Sequence, residues 1–529
     1  MHHSQWFRVE QEFLLTRLKR VETSYDLKLC CMEGTRGSLL TQIIAWATNE
    51  STKGNIYWIQ GPPGIGKTSL AHSICERLHD QQHLAGTFFC QRDDPDLRDL
   101  RNIVPTLIYK LAEIFAPFRN TVANRLRSDP NLTSKSMKDT LFLDLIRSLS
   151  CRPKHTLVFV IDALDECGNT RSRPGILTVL TDVSAAAPWL KVIITSRHEP
   201  DIEHFLDAPT RSSHFRYDLA SDEKANADLR TYAQGQFDLV ASKRGLSIPW
   251  PGISRFNGII SRANGLFVFI STLALALKRC EDPGKFLKTI LDDSPRTSLE
   301  SLYGLYSIIL EARIVHENFA ELQRVIGVLH TTASHRPVCD ETIAELAGVG
   351  HNLVNNWVNG LSSLLYRDEG ANAGIRVRHS SISDFFVSGH CVYQVNPRDA
   401  NVQLGIACLR TMVKQLRFNI CKLDDSRLAN KNVKDLPSRI KENISDPLQY
   451  SSIYWSNHLC FAPDTGDQRV WGSLKEYFAG LRPILWIEVL SILEKIPVGA
   501  PSLRRVMSWA KVSQAKWESF QFKGNSNLP

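Results

Sequence analysis

The chain has 529 residues, of which 43% are hydrophobic, enough for roughly three to five units of ordinary domain size and too apolar for a disordered chain. Its 63 basic against 55 acidic residues leave a formal net charge of +8, a mild excess without a dense basic tract or aromatic interleaving, so nucleic acid is not an expected partner. The twelve cysteines, single apart from the neighbours Cys30 and Cys31, make no C-x-x-C pair; with no cleavable apolar leader, they suit reduced thiols in a cytoplasmic setting.

Gln5 to Val21 reads as a short N-terminal helix with Phe13, Leu14 and Leu18 at helical spacing, too short for a recognisable effector domain. The apolar stretch Ile56-Tyr57-Trp58-Ile59-Gln60 then predicts a strand that runs straight into Gly61-Pro62-Pro63-Gly64-Ile65-Gly66-Lys67-Thr68, a complete G-x-x-x-x-G-K-S/T loop. Ser69 to Leu78 carries apolar side chains at helical spacing, so phosphates bound by the loop sit on a helix N-terminus. Glycines let backbone N–H groups turn around phosphate oxygens, Lys67 supplies a point charge near the β- and γ-phosphates, and the Thr68 hydroxyl is offered to Mg²⁺. The nucleotide contacts expected from this segment are Gly61, Pro62, Pro63, Gly64, Ile65, Gly66, Lys67, Thr68 and Ser69.

A magnesium ion held by a hydroxyl and phosphates needs a carboxylate at the end of a neighbouring buried strand. Thr156 to Ile161 is such an apolar run and ends at Asp162-Ala163-Leu164-Asp165-Glu166. Asp162 is therefore the expected magnesium residue. Asp165 and Glu166 either polarise the attacking water or cap a following helix, since acids favour helix N-termini. A further strand, Lys191 to Thr195, leads into Ser196-Arg197, and an arginine at the carboxyl end of a parallel strand is placed to sense a γ-phosphate or stabilise transition-state charge.

Beyond Pro200 the strand signals largely disappear. A helical segment is expected from about 219 to 295, closed by a polar, Pro-containing linker at Asp292-Asp293-Ser294-Pro295-Arg296-Thr297-Ser298. Within it the longest apolar run, Gly265 to Leu277, is shorter than the roughly 20 residues a membrane span needs, so a buried helix is expected and no membrane span. From residue 400 onward Leu404, Ile406, Leu409, Met412 and Leu416, and later Leu485, Val489, Leu490 and Leu493, mark amphipathic helices. Trp455 and His458 are read as core and capping residues, and no period of 20–50 residues recurs.

The order of phosphate loop, acidic strand and strand-Thr-Ser-Arg resembles the NACHT family of STAND-type P-loop NTPases. It is similar in particular to fungal, NOD-like-receptor-like members with a nephrocystin-3-like N-terminal nucleotide-binding region. Most characteristic is Asp162-Ala163-Leu164-Asp165-Glu166, with a small residue after the magnesium aspartate and acids three and four positions on. Cys31-Met32-Glu33-Gly34-Thr35-Arg36 with the amphipathic Leu39 to Trp46 is similar to the family's lead-in, and Gly86-Thr87-Phe88-Phe89-Cys90-Gln91-Arg92-Asp93 to the strand after the phosphate-loop helix. Ala263-Asn264-Gly265-Leu266-Phe267 resembles a helical-domain motif that in many relatives sets a proline against adenine; Phe267 stands in that place here, and core packing of residues 266–269 is expected instead. Ile375 to Phe386 resembles the end of a winged-helix domain, and the resemblance implies that His379 touches bound ADP and holds a closed state. Arg417-Phe418-Asn419-Ile420-Cys421 and Tyr454 to Leu459 resemble a helical region that in relatives often leads into propeller repeats, none of which is expected before Pro529.

The expected architecture is an α/β P-loop NTPase domain, a doubly wound parallel sheet, followed by α-helical, winged-helix and further α-helical domains. Its expected segments are 1–37 (N-terminal helix and lead-in), 38–199 (NACHT NTPase), 200–298 (helical), 299–390 (winged helix) and 391–529 (C-terminal helical). The resemblance implies ATP/ADP and Mg²⁺ as cofactors, with Thr68 and Asp162 at the metal and Lys67, Asp165, Glu166 and Arg197 acting at the β–γ bond. Implied with it is a cytoplasmic signalling switch of slow hydrolysis, in which nucleotide exchange controls self-association or recruitment of a protein partner, as in innate immunity or incompatibility. A P-loop ATPase that remodels protein or nucleic acid, and a scaffold with structural nucleotide, stay open as alternatives. Adenine rather than guanine rests on the resemblance, beside the absence of an N-K-x-D motif.

Overall fold

Five segments form one parallel sheet: β1 (Ile56–Gln60), β2 (Leu84–Phe89), β3 (Leu157–Asp162), β4 (Leu190–Ser196) and β5 (His214–Asp218), in the order β2-β3-β4-β1-β5. The computed structural model describes residues 10–524, apart from 53, 130–140, 209–213, 293–296, 313–317, 369–372, 426–427 and 462–467. Because all five strands run the same way, their carboxyl ends lie on one edge, with β4 seated between β1 and β3. That edge gathers the residues after β1, after β3 and after β4, which is where ligands bind in open α/β sheets.

Side-chain alternation explains why β1 and β3 carry apolar residues on both faces. Tyr57 and Ile59 of β1 and Val158 and Val160 of β3 join one core, together with Ile43 of α1 (Gly37–Thr48) and Leu70 and Ile74 of α2 (Lys67–Asp80). The alternate residues, Trp58, Phe159 and Ile161, join the opposite core. Its helices are α3 (Ile103–Ile114), α4 (Ala116–Ser128), α5 (Leu141–Arg147), α6 (Arg173–Ala186) and α7 (Pro200–Leu206). Helices on both faces of a parallel sheet make this the expected α/β class.

The N-terminal helix differs from its expected outline. Residues 5–9 of the 5–21 span lie outside the described residues, and among the described residues of that span the helix covers 10–15. Leu14, Leu15 and Leu18 are buried in the second core, whereas Phe13 is 69% exposed. β5 is a correction as well: it lies beyond 199, in a stretch read as helical, and pairs with β1 in parallel. Its sequence, His-Phe-Arg-Tyr-Asp, is half exposed at the sheet edge and carries no apolar run to announce it.

After β5 the chain is helical: α8 (Ala225–Arg244), α9 (Ile253–Ala263), α10 (Phe267–Leu277), α11 (Pro283–Asp292) and α12 (Ser298–Glu311). Residues 293–296 of the expected linker lie outside the described residues. The apolar run is the buried helix α10, and no helix among the described residues is long and apolar enough to cross a membrane. The chain divides into two units, Met1–Leu305 with His379–Ser381, and Tyr306–Arg378 with Ile382–Pro529.

The second unit holds α13 (Phe319–Ala333), α14 (Asp340–Ala347), α15 (His351–Gly360) and an antiparallel pair, β6 (Leu365–Arg367) with β7 (Ile375–Val377). Further on, α16 (Pro397–Gln415) packs against α17 (Asp446–Phe461). Trp455 and His458 are both buried there; the His458 ring bridges Asn401 Oδ1 and the Tyr450 hydroxyl at 2.9 Å each.

Candidate functional site

The loop after β1 is shaped by two glycines at positive φ, Gly64 at +83° and Gly66 at +96°, a region that other residues enter at a cost. Lys67 begins α2 and is buried, its Nζ donating to the carbonyls of Gly61 at 2.7 Å and Pro62 at 3.0 Å. Burial pushes its ammonium down to about 8, against the pull of Asp165 and Asp162. Lys67, Thr68 and Ser69 form the first turn of α2, so its N-terminal backbone dipole and an ammonium lie at the end of the loop.

Asp162 ends β3 and is 2% exposed. Register places Ile161 beside Ile194, so Thr195 falls next to Asp162. The Thr195 hydroxyl donates to Asp162 Oδ1 at 2.6 Å and accepts the Ala163 N–H at 2.9 Å. Ala163 itself is left-handed, at φ 53°, and turns the chain sharply off the strand. Burial raises the Asp162 carboxyl above its ordinary range, while the hydroxyls of Thr195 and Thr68 and the Lys67 charge favour its ionised form.

The two acids beyond it sit in a short 3₁₀ turn, Leu164–Glu166, and the next helix, α6, starts only at Arg173. Neither caps a following helix. Asp165 turns both oxygens to Arg197, accepting its main-chain N–H at 3.0 Å on Oδ1 and facing Nε at 3.3 Å with Oδ2. Glu166 Oε2 accepts the Arg92 N–H at 3.2 Å, and burial, followed by the charge of Asp165, raises its carboxyl.

Arg197 also donates from Nη2 to the Ser380 hydroxyl at 3.0 Å, and that hydroxyl pulls the raised Glu166 carboxyl back towards its ordinary range. Beside it, His379 Nδ1 accepts the Ser381 N–H at 3.1 Å and lies 2.7 Å from the Ser381 hydroxyl. A ring nitrogen that accepts a backbone N–H carries no proton, so the proton of a neutral ring is on Nε2. A Cβ added at Gly64 would stand 3.9 Å from His379 Cε1. The structure thus brings Gly61–Ser69, Asp162, Asp165, Glu166, Arg197 and His379 into one unit.

Phe267 departs from the expected core packing. Leu266, Val268 and Phe269 are buried, but Phe267 is half-buried and its ring approaches the phosphate loop, 3.9 Å from where a Gly66 Cβ would be. Thr195, Ser380, the Arg92 amide and Arg36 escaped the sequence reading as site residues. For Thr195 a signal existed: in a parallel sheet the strand-Thr-Ser-Arg end lies level with the strand-Asp end. Ser380 had none, being far along the chain.

A nucleotide with a divalent ion fits this donor set. Left-handed glycines leave room for the phosphates, the Lys67 ammonium is at hand, and the buried Asp162 carboxyl, whose ionised form the Thr68 hydroxyl favours, makes with that hydroxyl the hard oxygen pair that Mg²⁺ takes.

Residues 34–197 match the family described as Nephrocystin 3, N-terminal. The vegetative incompatibility protein HET-E-1 of Podospora anserina is 25% identical over 93% of this chain, which spans 38% of that protein's length. Among solved structures, Cdc6p of Pyrobaculum aerophilum is 15% identical with a TM-score of 0.32, covering 69% of this chain and 95% of its own. A Walker-type ATPase of Pyrococcus abyssi is 14% identical with a TM-score of 0.30, covering 69% of this chain and 97% of its own. At such scores the fold rests on the sheet itself.

Proposed function

We propose that this chain, a NACHT-like NTPase of the fungal kind whose residues 34–197 carry the nephrocystin-3 N-terminal nucleotide-binding region, is an adenine-nucleotide switch with slow hydrolysis. ADP is retained in the resting state, and exchange for ATP releases a surface for self-association or for a protein partner in the cytoplasm. The name of its fungal relative, a vegetative incompatibility protein, supports a signalling role of that type.

Magnesium, held by Thr68 and Asp162, would supply positive charge at the phosphates whose β–γ bond is cleaved. The chain's own residues do the rest. Thr68 and Asp162 would hold the ion, Lys67 neutralises phosphate charge, and Arg197, fixed by Asp165, stabilises charge on the γ-phosphoryl group. Glu166, with its raised carboxyl, orients and deprotonates the attacking water. His379 donates from Nε2 to a phosphate oxygen and so reports which nucleotide is bound.

The observation that carries the reading is the Arg197 guanidinium, which Asp165 holds and which donates to the hydroxyl of Ser380, the neighbour of His379, in the unit of the phosphate loop. Freshly purified chain is denatured and the released nucleotide identified and quantified, with Lys67→Ala in parallel. Near-stoichiometric ADP from the parent and none from the variant is the expected result. Little nucleotide from either removes the resting state and favours a freely exchanging ATPase.

A further inference from the structure

Arg36 does more than lead into the NTPase fold. It is a non-glycine residue at φ 58°, immediately before α1, and only 3% exposed, a strained conformation that persists where surroundings enforce it. Its N–H donates to Asp228 Oδ2 at 3.1 Å, its Nη1 to Asp222 Oδ2 at 2.6 Å, and its Nη2 to the carbonyl of Ile65 at 3.2 Å. The fork therefore spans a carboxylate just beyond β5 and the middle of the phosphate loop. Its guanidinium also lies 5.4 Å from the centre of the Phe267 ring.

A trans peptide unit points its C=O and its N–H in opposite directions, and the Ile65–Gly66 unit is not among the cis bonds of this chain. Drawing the Ile65 oxygen towards Arg36 turns the Gly66 N–H away from it. One residue earlier the same device recurs: the Gly64 carbonyl accepts the Val268 N–H at 3.1 Å, which turns the Ile65 N–H the other way. The two carbonyls that face Lys67, those of Gly61 and Pro62, belong to peptide units whose nitrogens are Pro62 and Pro63. Those units have no N–H to lose. The carbonyls gripped from outside are the ones whose partner amides a phosphate needs, and the carbonyls left to Lys67 are the ones with no amide to offer.

We propose that Arg36 is a positioning residue for the phosphate loop: by holding the Ile65 carbonyl it presents the Gly66 amide to phosphate, and through Asp222 it ties that loop geometry to the segment after β5. The same segment reaches the start of the loop, where Leu219 Cβ is 3.3 Å from the Cβ position of Gly61. The buried positive charge is matched by Asp222, with side-chain exposures of 3% and 9%, so the guanidinium is fixed before any anion arrives. Preorganised amides bind charge without reorganising.

This inference rests on the nucleotide-binding reading above. Affinities for ADP and for tripolyphosphate, which has no base or ribose, are measured by calorimetry on the full chain emptied of nucleotide, for the parent and Arg36→Ala. Unfolding midpoints of the empty proteins are recorded alongside. The expected result is a parallel weakening of both ligands, on the order of ten-fold or more, as follows from loss of a charged hydrogen bond, in a protein that still unfolds cooperatively. ADP weakened with tripolyphosphate unchanged would make Arg36 a base or ribose contact and overturn the proposal, as would no change in either. Where Arg36→Ala does not fold, the Arg36→Ala/Asp222→Asn pair, which leaves no unmatched charge, decides by the same comparison. A parent that binds neither ligand overturns the nucleotide-binding reading itself.

Discussion

Asp165 holds Arg197 at two points, its Oδ1 accepting the arginine's main-chain N–H at 3.0 Å and its Oδ2 facing Nε at 3.3 Å. With side-chain exposures of 2% for Asp165 and 19% for Arg197, the acid is committed to orienting the arginine, and in the proposed mechanism water activation falls to Glu166. Asp165→Ala is expected to destabilise the nucleotide-free chain by about 3 kcal/mol, because a largely desolvated guanidinium loses the carboxylate that faces it. Urea unfolding of Asp165→Ala, Arg197→Ala and the double variant gives the coupling; additive effects of the two single changes contradict the pairing.

Glu166→Gln is expected to keep ATP affinity and to slow single-turnover hydrolysis by about 10²–10⁴-fold, the range of a lost general base. Its carboxyl is raised by burial and by Asp165, so parental hydrolysis falls as pH drops through that raised value, where the base becomes protonated. The Gln variant lacks this fall. Equal loss of ATP binding in Glu166→Gln and Lys67→Ala would assign Glu166 to binding.

The P-loop sheet was legible because its signals are local and redundant. Ile56–Ile59 alternates into two apolar cores, so those four positions are all apolar, and the glycines and lysine follow at fixed spacing. Asp162 was legible for the same reason, at the end of a fully buried strand. β5 was not, since an edge strand with one solvated side needs no apolar run. Ser380 and Arg36 were silent because their partners, Arg197 and Ile65, stand 183 and 29 residues away. Tertiary hydrogen bonds of that kind leave no period in a sequence. Phe267 was misread through its apolar neighbours: helical spacing does not say which flank of a short buried helix meets the loop.

Lys191 offers a pH test away from the nucleotide. It is fully buried in β4, and its Nζ donates to the carbonyls of Trp46 and Asn49 at 2.6 Å each and to the Thr52 hydroxyl at 2.7 Å, capping the end of α1. Burial lowers it from 10.5 to about 8. Between those values the unfolded chain binds more protons than the folded one, so its contribution to stability rises with pH, by at most about 1.4 kcal/mol per unit. Lys191→Met is expected to lose about 2 kcal/mol at pH 7 through unpaired carbonyls, and the gap to the parent should widen from pH 8 to 10. A constant gap in urea unfolding across that range means that Lys191 titrates normally.

His379→Ala is expected to speed ADP release and raise self-association, because a neutral ring with its proton on Nε2 is removed from beside the loop. Stopped-flow displacement of a fluorescent ADP and sedimentation velocity read the two effects. An unchanged release rate leaves His379 with its local bonds to Ser381 and no part in the switch.

Gly64 is the position where loop and helix leave no room. Its φ of +83° is left-handed, and a Cβ there would stand 2.1 Å from Val268 Cγ1 and 2.9 Å from Val268 Cβ. Gly64→Ala therefore meets two separate penalties, a backbone cost of about 1–2 kcal/mol and an overpacking cost of about 1–3 kcal/mol. Both act on the loop that orients phosphate, so ADP retention should fall with stability. Val268→Ala in the same chain removes Cγ1 but keeps Cβ, and is expected to recover part of the overpacking cost and none of the backbone cost. Full recovery in urea unfolding means that the left-handed conformation is not required. No recovery means that the first turn of α10 is not what excludes a side chain at Gly64, and the grip of the Val268 N–H on the Gly64 carbonyl then loses its significance for the loop.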